Sequence, residues 1–119
     1  MKIDLLLGVH AHQPVGNFES VMVEAHERCY KPFIETLYRF PSSRFSAHFS
    51  GWLLSWLMER FPRDMALLRE MVARGQVEMF GSGDCEPVLA AIATRDRITQ
   101  IEVLSKKLQA HFVRPPTGA

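Results

Sequence analysis

The fold is decided first by the stretch IDLLLGVHAHQP, which occupies residues 3–14 near the start of the 119-residue chain. Residues 3–9 are mostly apolar and predict a strand, which a loop containing Pro14 and Gly16 closes. Residues two apart on a strand point to the same side, so His10 and His12 share one face where the strand ends. Two imidazoles at the C-terminal end of a strand indicate a functional site.

Further along the chain, helical patterns alternate with two more short strands. Pro32 interrupts the first helical pattern, so we expect that helix to be kinked or split there. Gly75 follows the third helical pattern, in the place where a C-cap glycine belongs. The sequence predicts helices over residues 20–38, from residue 51 to a break at Pro62, over 65–74 and over 94–110, with strands over 44–49 and 76–80.

The order of strand then helix, repeated three times, predicts parallel strands in an α/β fold. This order alone allows either a doubly wound sheet or a barrel. Barrel enzymes carry their active sites at the C-terminal ends of the strands, and polar residues follow all three predicted strands there: His10, His12, His48, Asp84 and Glu86. We therefore favour the first three βα units of a TIM-like barrel.

The composition is that of one globular domain. Hydrophobic residues make up 47% and charged residues 23% of the chain, and 14 basic against 13 acidic residues give a net charge of +1. The basic residues are dispersed, so neither a nucleic acid nor a membrane partner is expected, and a small polar neutral ligand fits better. A second domain is not expected at this length.

The N-terminus and the two cysteines bear on the cellular location. Asp4 interrupts an apolar run that is too short for a signal peptide, and no stretch reaches the length of a transmembrane helix. Cys29 and Cys85 form no CxxC pattern, so we expect reduced thiols that are buried and structural. These features predict a cytoplasmic protein.

The end of the chain does not complete the alternating pattern. Residues 114–119, RPPTGA, predict a loop-like tail where the next strand of the series should begin. Three strands cannot close a barrel, and an open parallel sheet leaves edges and apolar faces to be covered. We therefore expect a fragment or a truncated gene product that self-associates through these edges.

The stretch GVHAHQPVGNF at residues 8–18 resembles the first signature of glycoside hydrolase family 57. That family comprises α-amylases, 4-α-glucanotransferases and related enzymes of α-glucan metabolism. The resemblance spans residues 3–114, and several blocks in order are far more specific than a lone HxH. Four further stretches match the family's second block: HFSG at 48–51, RGQVE at 74–78, EPVLA at 86–90 and DRI at 96–98.

The resemblance implies an incomplete (β/α)7 barrel, followed by helical and sometimes β-rich domains, in a chain several times longer than this one. It also implies retaining chemistry, with a glutamate nucleophile and an aspartate acid/base on later strands, beyond Ala119. Residues 1–119 would then be the N-terminal part of a single barrel domain, without catalytic residues and inactive alone. The implied partner is an α-glucan or maltooligosaccharide, with no cofactor and no metal.

The resemblance further implies which residues bind the substrate. His10 matches a family histidine that binds the sugar at the cleavage subsite, and His12 is its neighbour in the same signature. Glu78 matches a strand glutamate that lines the substrate pocket, whereas Glu86 is either a ligand at the rim or a loop carboxylate. Imidazoles and carboxylates suit this role because sugar hydroxyls need paired donors and acceptors.

Other polar and aromatic residues have structural explanations. We expect His48 to be structural and Asp84 to cap a helix or lie in solvent. Trp52 and Trp56 are spaced with leucines as on a helix, which favours core packing over a sugar-stacking platform. Exposed positions on helices are expected for His26 and His111.

Two other function classes remain open at this point. An HxH at the end of a first barrel strand is also how metal-dependent amidohydrolase-type barrels begin, with both imidazoles binding a divalent ion that activates water. The continuation QPVGN, residues 13–17, speaks against that class. The second alternative is a non-catalytic remnant that binds oligosaccharide or associates with other copies.

Overall fold

The computed structural model describes residues 1–112 and contains a sheet of three parallel strands. The strands are β1 (Gly8–Ala11), β2 (Phe45–Phe49) and β3 (Val77–Met79), and β2 lies in the middle. Because all three run in the same direction, their C-terminal ends meet at one edge. This confirms the predicted parallel α/β arrangement. The tail predicted for residues 114–119 lies outside the described residues.

The first strand is shorter than predicted and begins at Gly8 rather than at residue 3. Gly8 is the partner of Ser46, whose N–H donates to the Leu7 carbonyl at 2.9 Å. β2 itself begins at Phe45, so the residues before Leu7 have no neighbouring strand to pair with. Leu5 and Leu6 are accordingly exposed.

Helices connect consecutive strands, as parallel pairing requires. Pro62 is the first residue of a helix, where its missing N–H costs nothing, so that helix begins three residues earlier than predicted. Within residues 1–112, none of the helices is both long enough and apolar enough to cross a membrane. The helices are α1 (Glu19–Ala25), α2 (Lys31–Tyr38), α3 (Gly51–Arg60), α4 (Pro62–Ala73) and α5 (Thr94–His111).

A π-helical turn, His26–Tyr30, joins α1 to α2. Pro32, the second residue of α2, cannot donate to the carbonyl four residues earlier, and the chain changes its hydrogen-bond period just before it. The predicted interruption is therefore present, but as a wider helical turn ahead of the proline.

The start of β3 is fixed by Gly75 and Gln76. Gly75 adopts a φ of 76° after α4 and donates to Val72 at 3.0 Å, which confirms the predicted C-cap. The buried Gln76 amide donates to three backbone carbonyls within 3.1 Å, that of Leu37 in the last turn of α2 and those of Phe40 and Ser43 in the segment before β2. A single side chain thus joins the entry to β3 with the entry to β2.

The core lies between the sheet and helices α3 and α4. β2 contributes Phe45, Ala47 and Phe49, and both helices present leucines and methionines to them. Trp52 and Trp56 are partly buried against this cluster, which confirms the predicted core packing. The fully buried residues of α3 and α4 are Leu53, Leu54, Leu57, Met65, Leu68, Met71 and Val72, and α1, α2 and α5 add Met22, Ile34, Leu104 and Leu108 to the core.

The predicted burial of four residues is wrong. His26 is completely buried, because it lies four residues after the buried Met22 on the same helix face, and its ring stacks on Phe61 at 3.8 Å. Cys29 and Cys85 are free and exposed rather than buried, Cys29 on the π-helical turn and Cys85 in the loop after β3. His111, predicted to be exposed, is partly buried at the end of α5.

Candidate functional site

Three histidine rings converge at the C-terminal edge of the sheet. His10 in β1 lies directly opposite His48 in β2, and their Nδ1 atoms are 2.8 Å apart. The two rings are nearly parallel, at 4° and 4.8 Å between centroids, and the His12 ring also stacks on His10, at 6.2 Å. Strand register and the two-residue repeat therefore assemble this stack.

Glu86 brings one carboxylate to all three rings. Its Oε2 atom lies 2.7 Å from His12 Nδ1, and its Oε1 atom lies 3.1 Å from His48 Nδ1 and 3.5 Å from His10 Nε2. The residue adopts a φ of 51°, the left-handed region that non-glycine residues rarely occupy. The loop after β3 therefore holds Glu86 in an unfavourable backbone conformation with its carboxylate at the centre of the histidine cluster.

An open hollow of about 260 Å³ lies beside the cluster. This volume is smaller than that of sites which enclose a whole drug-sized ligand, so the described residues form one side of such a site. The lining residues are His10, His48, Phe80, Gly81, Ser82, Glu86 and Pro87.

Burial lowers the pKa of His48, although the nearby Glu86 carboxylate works in the opposite direction and His10 and His12 lower it further. A neutral His48 has one ring nitrogen that donates and one that accepts. The short contact between the Nδ1 atoms of His10 and His48 accordingly needs one proton between the two rings. The prediction that His48 is structural missed its place in the cluster.

Glu78 does not line the hollow beside His10. In β3 it pairs with Ser46, which in turn pairs with Gly8, so it lies on the same face of the sheet as His10 and His48. It is, however, two residues or about 7 Å nearer the start of the strands. Glu78 instead lines a larger hollow together with Leu7 and other residues from the opposite end of the sheet.

Asp84 neither caps a helix through its side chain nor lies in solvent, contrary to both predicted alternatives. It is 8% exposed, and Lys107 Nζ lies 2.7 Å from its Oδ1 atom. Its negative charge is therefore balanced by Lys107, which lies on α5.

The cluster also resembles a metal ligand set. His10, His48 and Glu86 each offer one ligand atom, and these atoms lie within 4.8 Å of one another. Two imidazoles and a carboxylate with an open side are a common set for zinc and for non-haem iron. This set differs from the predicted pair of His10 and His12, because His12 contacts the far oxygen of Glu86.

A family model decides the classification of this chain. The model of glycosyl hydrolase family 57 matches residues 6–119. The chain belongs to this family. Its family 57 relatives include the 4-alpha-glucanotransferase of Thermococcus kodakarensis, which is 47% identical over 104 residues, and the alpha-amylase of Pyrococcus furiosus, which is 48% identical over 105 residues.

The family 57 chain matches only part of each relative. These alignments cover 87% and 88% of this chain but 16% of either relative. The crystal structure of 4-alpha-glucanotransferase from Thermococcus litoralis superimposes with a TM-score of 0.86 at 46% identity, over 89% of this chain and 17% of that one. The parallel α/β unit described above is thus the same fold as part of that enzyme.

Proposed function

We propose that the chain is the N-terminal part of a retaining glycoside hydrolase or 4-α-glucanotransferase that acts on α-glucans. Support comes from the family match over residues 6–119 and from relatives named alpha-amylase and 4-alpha-glucanotransferase. In this proposal, the three strands are the first three of an incomplete (β/α)7 barrel with no second domain in residues 1–119. The TM-score of 0.86 against part of a longer glucanotransferase supports that arrangement.

The site proposed to hold the sugar is the cluster of His10, His12, His48 and Glu86. The observation that carries this proposal is the convergence of three imidazoles and one carboxylate beside an open hollow. These groups offer donors and acceptors at short range, which is what adjacent sugar hydroxyls require. A carboxylate here also stabilises positive charge as it develops at the anomeric carbon in an oxocarbenium-like transition state.

Glu78 stays in the proposal as a second carboxylate of the sugar-facing surface. It shares the sheet face of His10 and His48, although it lies deeper and lines a different hollow. We assign neither the nucleophile nor the acid/base to residues 1–112. A polypeptide of these 119 residues is therefore expected to bind maltooligosaccharide without hydrolysing or transferring it.

An NMR titration tests the sugar site. Maltotetraose is added to the 119-residue chain while the ring signals of His10, His12 and His48 are followed, with cellotetraose as the matched β-linked control. We expect concentration-dependent shifts with maltotetraose at about millimolar affinity, equivalent to roughly −4 kcal/mol, and their loss in Glu86→Gln. Equal shifts with both sugars, or none with either, would contradict the proposal, as would turnover of maltotetraose.

The ligand geometry of His10, His48 and Glu86 keeps a metal-dependent hydrolase as the second candidate. The named relatives favour the α-glucan enzymes over it. Elemental analysis of the purified chain separates the two candidates. Near-stoichiometric zinc that is lost in His10→Ala would overturn the proposed function, whereas zinc at trace level in both proteins supports it.

A cytoplasmic location and self-association complete the proposal. Two exposed cysteines that form no disulfide with each other fit a reducing compartment. The exposed side chains of Leu5 and Leu6 at the sheet's N-terminal end offer apolar surface for contact with other copies.

A further inference from the structure

The loop after β3 is held from behind by a charge pair. The side chain of Asp84 is 11% exposed and that of Lys107, on α5, is 29% exposed. Lys107 Nζ lies 2.7 Å from Oδ1 and donates to Oδ2 at 2.9 Å. Because both charges are largely withdrawn from water, breaking this pair leaves one of them unbalanced, which costs far more than loss of a surface ion pair.

Backbone hydrogen bonds fix the same loop on both sides. The Gly51 N–H, at the start of α3, donates to the Asp84 carbonyl at 2.8 Å. The Asp84 N–H donates to the Gln100 carbonyl at 3.1 Å, and the Cys85 N–H donates to Gln100 Oε1 at 2.9 Å. The two residues before Glu86 are therefore tied to α3 and α5 and cannot turn freely.

Gly51 leaves the space that the Asp84 carboxylate occupies. A Cβ atom on Gly51 would stand 1.8 Å from Asp84 Oδ1 and 3.0 Å from the Asp84 carbonyl oxygen. Lys107 Nζ also lies 3.4 Å from the Gly51 carbonyl. The ion pair, the glycine and the loop therefore form one packed unit.

This unit explains why Glu86 keeps its left-handed backbone. A non-glycine residue with a φ of 51° persists only where its surroundings fix it. In that conformation the carboxylate reaches His12 at 2.7 Å and His48 at 3.1 Å. Without the ion pair between Asp84 and Lys107, the loop would relax towards a commoner backbone conformation. The Glu86 carboxylate would then move away from the rings.

We propose that Asp84 and Lys107 are positioning residues of the histidine site, because their ion pair holds Glu86 in the conformation that brings its carboxylate to His12 and His48. Only the role of that site in sugar binding rests on the proposed function. Its geometry and its test are independent of sugar binding.

The test follows the ring of His48 by NMR while the pH is varied. The charged and titratable groups that face this ring are Glu86, His10 and His12, and of these only the Glu86 carboxylate raises its pKa. Lys107→Met should therefore lower the pKa of His48 further, in the same direction as Glu86→Gln does, because both variants take the Glu86 charge away from the ring. Lys106→Met is the matched control, because Lys106 is 75% exposed and pairs at 3.8 Å with Glu102, on its own helix.

A double-mutant cycle separates positioning from general support of the fold. If Lys107 acts through Glu86, adding Lys107→Met to Glu86→Gln should leave the His48 titration unchanged, and Lys107→Arg should restore the wild-type curve. An unchanged His48 pKa in folded Lys107→Met, or a shift that persists in the Glu86→Gln background, would overturn the proposal. Asp84→Asn, which keeps the side-chain shape, replaces Lys107→Met if that variant does not fold.

Discussion

At the scale of single residues, the histidine cluster has only one negative charge for three titratable rings. One carboxylate faces three imidazoles, and the contact between His10 and His48 needs a single shared proton. Stacked rings at 4.8 Å would repel each other if both were protonated. The arrangement is therefore most stable when at least one ring stays neutral.

His48 makes the stability of the fold depend on pH. Its pKa is lowered in the folded chain, chiefly by burial, from the ordinary value of 6.5. The unfolded chain binds the proton more readily, so stability is fully present above about pH 6.5 and is lost as the pH falls through the lower folded pKa. Thermal melts from pH 7.5 to 5 should show a falling midpoint, less steep in His48→Gln than in the wild type. The control His111→Gln should keep the wild-type slope, and equal slopes in His48→Gln and wild type would contradict the prediction.

At the scale of secondary structure, the π-helical turn is joined to α4 by one buried ring. His26 Nε2 lies 2.8 Å from Asp64 Oδ2 in the first turn of α4, and the ring stacks on Phe61. Replacing His26 by alanine removes this bond, leaves a cavity and strands the carboxylate. We expect a loss of about 3 kcal/mol in the free energy of unfolding, measured by urea denaturation.

His111→Ala provides the comparison for that measurement. Its ring is partly buried at the end of α5, so it should change the free energy of unfolding by less than about 0.5 kcal/mol. Similar losses in His26→Ala and His111→Ala would show that the buried pair does not stabilise the junction.

The junction between α3 and the loop after β3 is sensitive to the size of the side chain at position 51. Gly51→Ala forces its new methyl group into the Asp84 carboxylate, so we expect a loss of about 1–3 kcal/mol in stability. Gly8→Ala is the matched control, since a Cβ there meets nothing within 4 Å. Urea midpoints of the two variants should differ clearly, and similar midpoints would rule out tight packing at Gly51.

Secondary structure was largely predictable from the sequence, and the exceptions share one cause. Hydrophobic periodicity and Gly75 located the helices, the three strands and one helix end. The π-helical turn was not predictable in form, because hydrogen-bond period depends on what the helix packs against. The burial of His26 was missed although it lies four residues after Met22, on the face that the core covers. Periodicity likewise predicted that β1 begins at residue 3 and not at Gly8. The start of a strand depends on a pairing partner far away in the sequence, which periodicity does not reveal.

The candidate site, like the secondary structure, was predictable in part from the sequence. The two-residue repeat of a strand correctly placed His10 and His12 at the sheet edge, and Glu86 lies with them. The sequence did not group His48 with the other histidines and did not show that Glu78 lies deeper than His10 on the same sheet face, since which residues of neighbouring strands meet is set by register. The ion pair of Asp84 joins segments 23 residues apart, which no local pattern reveals.

At the scale of the whole molecule, apolar side chains remain uncovered at the N-terminal end of the sheet. Leu5 and Leu6 are 84% and 96% exposed, close to a hollow that also includes Leu7 and Val72. We expect concentration-dependent association in sedimentation velocity, weakened by Leu5→Gln combined with Leu6→Gln. A single monomeric species across the concentration range would contradict this expectation.

The parallel order of the strands also sets the pace at which this chain acquires its structure. His10 and His48 are neighbours in the sheet but lie 38 residues apart in the sequence, so no strand can pair until an intervening helical unit has been brought round. Closing such long loops costs conformational entropy before the strand contacts can stabilise the chain. Parallel sheets therefore form slowly. During synthesis β1 and the three leucines before it must wait, unpaired, for β2 to emerge, and such exposed apolar segments are prone to aggregate.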